Sequence, residues 1–223
     1  MDSGKKERVT PVYYPRNEEI FSAVSHGIGT LFGIFALVYM ITLSACHGNA
    51  TAVVASAIYG TSLTFLYAMS TLSHALTGWK AKKVFRVLDH ITIYLLIAGT
   101  YTPLTLITLK GALGWVIFGI QWGIAIFGIT LDAVSLNRFK RLSMLFYILM
   151  GWGIIFAAFP MIQRMDPAGL IYLLGGGLFY TGGIVFYRVK GPNMHAIWHL
   201  FVLIGSVLQF ITVCLYVLPQ TFS

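Results

Sequence analysis

The amino-acid sequence predicts an all-α membrane protein, a bundle of seven transmembrane helices. Apolar residues make up 57% of the chain and charged residues only 10%, with a mean hydropathy of +0.80. The charges are concentrated in short stretches between long apolar runs, each near or above the roughly 20 residues that a helix needs to cross a bilayer. The runs are continuous, whereas the strands of a β-barrel alternate apolar and polar residues. This composition excludes a soluble domain.

Hydropathy divides the chain into a polar segment (residues 1–19), one transmembrane domain (20–218) and a short tail (219–223). The domain contains seven apolar segments separated by short polar connections. They cover about residues 20–45, 51–74, 88–109, 112–131, 142–162, 168–187 and 193–218.

Small residues and a proline predict how these segments pack. Pro103 should kink the third segment because proline lacks a backbone N–H. Glycines on several segments would let helices approach closely; they are Gly29, Gly33, Gly119, Gly123 and the run Gly175 to Gly177. The sequence leaves open a disulfide between Cys46 and Cys214, which fall towards the same side of the membrane.

The basic residues predict the orientation. Of the 15 lysines and arginines, all but Lys110 and Arg164 lie in the N-terminal segment or in the connections after segments two, four and six. The positive-inside rule therefore places the N-terminus in the cytoplasm and the C-terminus outside. The expected partners of the net charge of +8 are then anionic lipid headgroups at the inner leaflet, not nucleic acid. We expect a multi-pass protein of the inner (plasma) membrane.

Polar side chains gather towards the cytoplasmic ends of the segments. Asp89 begins segment three, and Ser70 lies one turn before His74 on the same helical face. Such groups at membrane depth are costly unless they are paired, hydrated or bound to metal. Five of the six histidines also lie on this side: His26, His74, His90, His195 and His199. Their concentration on one leaflet indicates a functional site.

His195 and His199 are four residues apart, so they share one helical face and can bind one ion. A third histidine from another helix would complete a three-histidine site, in which zinc keeps its fourth position for water and makes that water more acidic. The same spacing also suits histidines that are interfacial or hydrogen-bonded to neighbouring helices. Spacing alone does not establish that helices two, three and seven are neighbours.

At these residues the chain resembles the hemolysin III family, the bacterial branch of the progestin and adiponectin receptor superfamily. The resemblance runs from Glu18 to Leu218. Its motifs are EEIFSAVSHGIG (18–29), STLSHAL (70–76), LDH (88–90), AGTYTP (98–103), GGGLFYTGGIVFY (175–187) and HAIWHLFVLIGS (195–206). The resemblance implies a zinc ion held by His74, His195 and His199, with water as the fourth ligand. It also implies that Asp89 and Ser70 contact that water or the ligands.

The superfamily's relation to alkaline ceramidases makes the leading hypothesis a zinc-dependent hydrolase of a lipid amide or ester at the cytoplasmic leaflet. A membrane lipid is then the substrate or ligand. The alternatives are a membrane-state regulator with structural zinc, a cytolysin, and an ion or proton transporter. The half of the predicted bundle that faces outside lacks the relay of ionisable residues that a transporter would need.

For several single polar residues the sequence allows more than one role. Asp89 is either a general base or a group that orients the water, or it pairs with a nearby basic residue. Ser70 orients the water or bonds back to its own helix. His90 points about 100° away from Asp89 and is assigned a structural or supporting role. His26 and Glu19 either cap the pocket from below or are interfacial. Asp132 is expected in a solvated inner loop or helix cap.

Overall fold

The structure, a computed structural model, describes residues 14–189 and 191–222, and over these ranges it contains helices and no strand. Its helices are α1 (Arg16–His47), α2 (Ala50–Ala75), α3 (Trp79–Pro103), α4 (Gly111–Trp152), α5 (Ala158–Arg164), α6 (Pro167–Arg188) and α7 (Met194–Thr212). Most of the predicted polar segment, with Lys5, Lys6 and Arg8, lies outside the described residues, as does Lys190.

Shorter helical turns complete the fold. A π-helical turn, Leu104–Leu109, continues α3 directly after Pro103, which is where the missing N–H of proline interrupts the regular hydrogen-bond pattern. A 3₁₀ turn, Gly153–Ala157, joins α4 to α5. A π-helical turn (Val213–Val217) and a 3₁₀ turn (Leu218–Thr221) follow α7.

Six helical stretches of the described chain are long and apolar enough to cross a membrane. Large apolar side chains cover their outside, with Phe156 91% exposed and Val134 76% exposed. Histidine, serine, threonine and glutamine side chains are buried instead. This distribution suits a lipid solvent, which accepts apolar side chains and leaves polar groups to be satisfied inside the protein.

The stretch Gly111–Arg164, 54 residues long, folds back on itself. As one straight helix it would be about 80 Å long, but Ser135 has non-helical backbone angles (φ −160°, ψ 91°). Gln121 Nε2 donates to the Met150 carbonyl at 3.0 Å, from one side of the break to the other. The Arg164 guanidinium donates to the Leu109 carbonyl, so the two ends of the stretch are neighbours. The predicted fourth and fifth segments lie on opposite sides of Ser135.

Close helix contacts occur at some of the predicted glycines. A Cβ at Gly33 would lie 2.9 Å from Thr64 Cα, so the backbones of α1 and α2 touch there. A Cβ at Gly176 would lie 2.5 Å from Gln209 Nε2 of α7. The prediction is wrong for Gly119, Gly123 and Gly177, which have nothing within 4 Å of such a Cβ.

The order of helix packing brings distant segments together. Helix α1 packs against α2 and α7, α2 packs against α3, and α6 packs against α7. The C-terminal end of α2 and the N-terminal end of α7 therefore meet beside the start of α1. The two cysteines are both free, with Cys46 exposed and Cys214 buried, so the disulfide left open by the sequence is not formed.

Candidate metal centre

Three histidines from two helices converge on one point. His74 lies one residue before the end of α2, and His195 and His199 occupy successive turns at the start of α7. The Nε2 atom of His195 is 3.3 Å from that of His74 and 3.0 Å from that of His199. His74 and His199 are buried. The structure thus brings together the three histidines named as ligands.

This histidine triad (His74, His195 and His199) can hold a metal ion, because its ligand atoms all lie within 4.8 Å of one another. A tetrahedral ion bonded to imidazole nitrogens at about 2.0–2.1 Å holds two of them about 3.3 Å apart. The two Nε2–Nε2 distances above are close to that separation. Neutral imidazoles facing each other through Nε2 also lack enough protons to bond every pair, and a cation would satisfy their lone pairs. The side chains therefore fit a metal.

The start of α1 supplies acidic partners that lie against the triad. Glu19 Oε2 is 2.7 Å from Nδ1 of His74, and Glu19 Oε1 is 2.6 Å from Nζ of the buried Lys82. Glu18, also buried, accepts the backbone N–H of His195 at 3.2 Å and so caps the N-terminus of α7. Glu19 therefore contacts a triad histidine directly.

Tyr14 covers one side of this cluster. Its ring stacks on His195, with centroids 4.3 Å apart and planes 8° apart, and its backbone N–H donates to Glu19 Oε1 at 3.2 Å. Burial raises the pKa of Tyr14 to about 12, so the phenol is neutral at physiological pH. Tyr14, two residues before α1, therefore covers His195 on one side of the triad.

Asp89 and Ser70 lie near the triad but are not members of it. Asp89 is buried, and its Oδ2 accepts the hydroxyl hydrogen bond of Ser73 at 3.3 Å. Ser70 is buried, and its Oγ has no hydrogen-bond partner among the described residues. Neither observation tests a catalytic role for these two residues, which stays a prediction. Ser73, which contacts Asp89, was not singled out by the sequence.

The two remaining cytoplasmic-side histidines differ in their surroundings. The ring of His26 lies 3.8 Å from that of His199, centroid to centroid, and neither ring nitrogen has a hydrogen-bond partner in the described part of the chain. His90 Nδ1 is 2.9 Å from the Arg86 carbonyl of its own helix. The triad does not include His90, in line with its predicted direction away from Asp89.

A cavity of about 160 Å³ lies inside the bundle, next to His26. His26, Asp89 and His90 contribute polar groups to its wall, together with Ser143 and Tyr147. The rest is mainly apolar, with side chains that include Leu66, Leu96, Ile97, Met144, Ile148 and Val202. The triad histidines are not among the lining residues, but His26 is, and its ring lies against that of His199. The cavity therefore offers an apolar volume separated from the triad by one histidine ring.

Asp132 lies in a buried network and not in a solvated loop, so the sequence prediction for it is wrong. Its side chain is 0% exposed; Oδ1 accepts a hydrogen bond from Ser143 at 2.5 Å, and Oδ2 is 3.4 Å from the Tyr147 hydroxyl. That hydroxyl also bonds the His90 carbonyl at 3.0 Å. The network ties the two arms of α4 together, and it depends on the chain folding back at Ser135.

The fold and the site define a class, a multi-pass helical membrane protein with three histidines that could hold a metal ion, and comparison with known proteins gives its family. The family model described as "Haemolysin-III related" matches residues 14–210. The chain therefore belongs to the hemolysin III family, and the resemblance noted from the sequence is confirmed.

Individual relatives extend the comparison. The chain is 47% identical to Hemolysin-3 of Bacillus cereus over 214 residues, which cover 96% of this chain and 98% of that protein. It is 43% identical to the Hemolysin-3 homolog of Bacillus subtilis (strain 168) over 206 residues, covering 92% and 97%. The human monocyte to macrophage differentiation factor is 30% identical over 167 residues, covering 71% and 68%, and supports the wider receptor superfamily. No solved structure matches.

Proposed function

We propose that the protein is a zinc-dependent hydrolase that cleaves an amide or ester bond of a membrane lipid at the cytoplasmic leaflet of the inner membrane. The observation that carries the proposal is the convergence of three histidine Nε2 atoms beside an apolar cavity within a membrane bundle. Family membership supports it. A lipid fits because its apolar chain matches the cavity wall, while its polar linkage would lie among the polar side chains.

The proposed topology has seven crossings, with the N-terminus in the cytoplasm and the C-terminus outside. The fold-back at Ser135 supports counting Gly111–Arg164 as two crossings, because its ends are neighbours. The positive-inside rule then places the exposed Lys80, Arg138 and Arg141 next to anionic headgroups of the inner leaflet. The triad lies on that same side.

His74, His195 and His199 would hold the zinc ion through Nε2. When bound, zinc polarises a carbonyl group and lowers the pKa of water. Three histidine ligands leave one position open, which is typical of catalytic zinc, whereas structural zinc is usually closed by four protein ligands. Among the described residues, no fourth side chain joins the triad. This arrangement favours the enzyme over the regulator with structural zinc.

Asp89 would move the proton. With Oδ2 held by Ser73, we assign Oδ1 to accept the proton of the attacking water and to return it to the leaving amine or alcohol. Ser70 would orient the water through its hydroxyl group. The apolar cavity wall would hold the acyl chain and exclude bulk water from the reacting bond.

The test is an activity assay on purified protein that carries a full complement of zinc, with a panel of lipid amides and esters. We expect wild type to hydrolyse at least one class of acyl-lipid and His195→Ala to abolish that hydrolysis. Full zinc occupancy without turnover across a broad panel would contradict the proposal.

Cytolysis is a second candidate, because a relative 47% identical to this chain is named Hemolysin-3. Its test is the release of a dye from liposomes that contain the purified protein. Dye release by both wild type and His195→Ala would favour a cytolysin, since a pore has no need of the triad. Intact liposomes combined with lipid hydrolysis would favour the enzyme.

A further inference from the structure

Glu19 joins three helices at the edge of the triad. It lies in the first turn of α1, and its two carboxylate oxygens have separate partners. Oε2 lies 2.7 Å from Nδ1 of His74 on α2, and Oε1 lies 2.6 Å from Nζ of Lys82 on α3. Oε1 also accepts the backbone N–H of Tyr14 at 3.2 Å. Both carboxylate oxygens therefore have polar partners, and the partner of Oε2 is a triad histidine.

The contact with His74 fixes which ring nitrogen carries the proton. Glu19 Oε1 already accepts from the Lys82 ammonium group at 2.6 Å, and in such an ion pair the carboxylate only accepts hydrogen bonds. Nδ1 of His74 is then the donor, and in the neutral ring this leaves the lone pair on Nε2. His199 differs, because its Nδ1 is buried without a hydrogen-bond partner among the described residues.

We infer that Glu19, held by Lys82, is a positioning residue for the metal: it keeps the proton of His74 on Nδ1 and so makes Nε2 available as a ligand. Carboxylates that bond to the outer nitrogen of a ligating histidine orient the ring and raise its basicity. This role rests on the proposed metal centre. It also gives Lys82 a place inside the protein, where its Nζ contacts Glu19 instead of a lipid headgroup.

Glu19→Gln is the informative substitution because it keeps the shape of the side chain. Oε1 receives two donors, Lys82 Nζ and the Tyr14 N–H, so the amide oxygen must occupy that position. The amide NH₂ group then faces Nδ1 of His74. Nδ1 becomes the acceptor, the proton moves to Nε2, and Nε2 cannot bind metal without losing that proton.

The neighbouring Glu18→Gln is the matched control. Glu18 is buried and, like Glu19, contacts a triad residue, but it accepts the backbone N–H of His195. An amide oxygen can accept that bond equally well, and the imidazole ring is not involved. We expect zinc affinity, measured by competition with a chelator, to fall about 10- to 100-fold in Glu19→Gln and to fall much less in Glu18→Gln.

A measurement on wild type removes any dependence on how well the variant folds. ¹⁵N NMR of histidine-labelled, zinc-free protein reports the proton position, with the His74 signal assigned by its loss in His74→Ala. We expect the proton on Nδ1. A proton on Nε2, or wild-type zinc affinity in Glu19→Gln, or equal losses in both glutamine variants, would overturn the role of Glu19. A wild type that binds no zinc would instead refute the metal centre, and the NMR result would still decide the proton position.

Discussion

His74 and His195 are 121 positions apart in the sequence, yet their Nε2 atoms are 3.3 Å apart. At the scale of single residues, the site depends on side chains whose burial is compensated. The imidazole of His74 contacts the carboxylate of Glu19, and that carboxylate contacts the ammonium group of Lys82. A buried ionised side chain without a partner would be strongly destabilising, so these residues stabilise one another as a group.

Asp89→Asn tests the proposed proton transfer at this scale. Asparagine keeps the size and can still accept the Ser73 hydroxyl, but its amide cannot take a proton. Since Asp89 is not part of the triad, we expect zinc content to be unchanged and kcat to fall about 10²- to 10⁴-fold. Steady-state kinetics on a hydrolysed lipid, with zinc content measured on the same sample, checks this.

Asp166→Asn is the control for Asp89→Asn. Asp166 caps α6 by accepting the Ala168 N–H, and asparagine caps a helix about as well as aspartate. We expect wild-type kcat from this control. A kcat in Asp89→Asn equal to that of the control would contradict a role for Asp89 in proton transfer.

The sequence predicted the triad histidines only with the help of the family motifs, left the role of Glu19 open, and missed the burial of Asp132. Hydropathy puts Glu19 at the end of the polar segment, and it gives no sign that side chains of α2 and α3 contact this residue. Asp132 sits among polar and basic residues that resemble a solvated connection. Asp132 is buried because the chain folds back and brings Ser143 and Tyr147 against it. Such a tertiary contact cannot be read from local sequence.

At the scale of helices, the start of α1 connects the helices that carry the site. Its first turn contacts α2 and α3 through Glu19, and α7 through Glu18. Further along, the backbone of α1 touches that of α2 at Gly33, where an added Cβ would meet backbone atoms that cannot move aside. Close packing in the middle of α1 therefore fixes the position of its beginning.

Gly33→Ala should separate α1 from α2. We expect the free energy of unfolding to fall by about 1–3 kcal/mol, as in other overpacked interiors. Gly119→Ala is the matched control, because nothing lies within 4 Å of a Cβ at that position. It should be neutral, or stabilising by up to about 1 kcal/mol. Unfolding in mixed detergent micelles measures both, and equal effects would contradict the packing described.

Helix boundaries were predicted more closely than helix continuity. Hydropathy separated residues 112–131 from 142–162 because polar and basic residues lie between them. The structure keeps that connection helical except at Ser135. Apolar content reports what faces lipid, whereas helical hydrogen bonding continues through polar residues as well. A single non-helical residue leaves no signature in hydropathy.

At the scale of the whole molecule, the fold-back gives a direct test of topology. Lys110 and Arg164 flank the stretch Gly111–Arg164, so two crossings place both residues outside, whereas one crossing places them on opposite sides. Single cysteines at these positions, in a background without Cys46 and Cys214, can be labelled in intact cells with a membrane-impermeant maleimide. We expect Lys110→Cys and Arg164→Cys both to be labelled, and Arg138→Cys only after permeabilisation. Labelling of only one of the first two would contradict seven crossings.

The proposed hydrolase and the role of Glu19 both depend on a metal bound between α2 and α7. The measurement that tests this most directly is the zinc content of purified wild type and of His74→Ala, with the ligands identified by X-ray absorption. We expect one zinc per chain with nitrogen ligands from imidazole in wild type, and loss of zinc in His74→Ala, because α7 alone supplies only two of the three ligands. Metal-free wild type, or full zinc content in His74→Ala, would contradict the central claim.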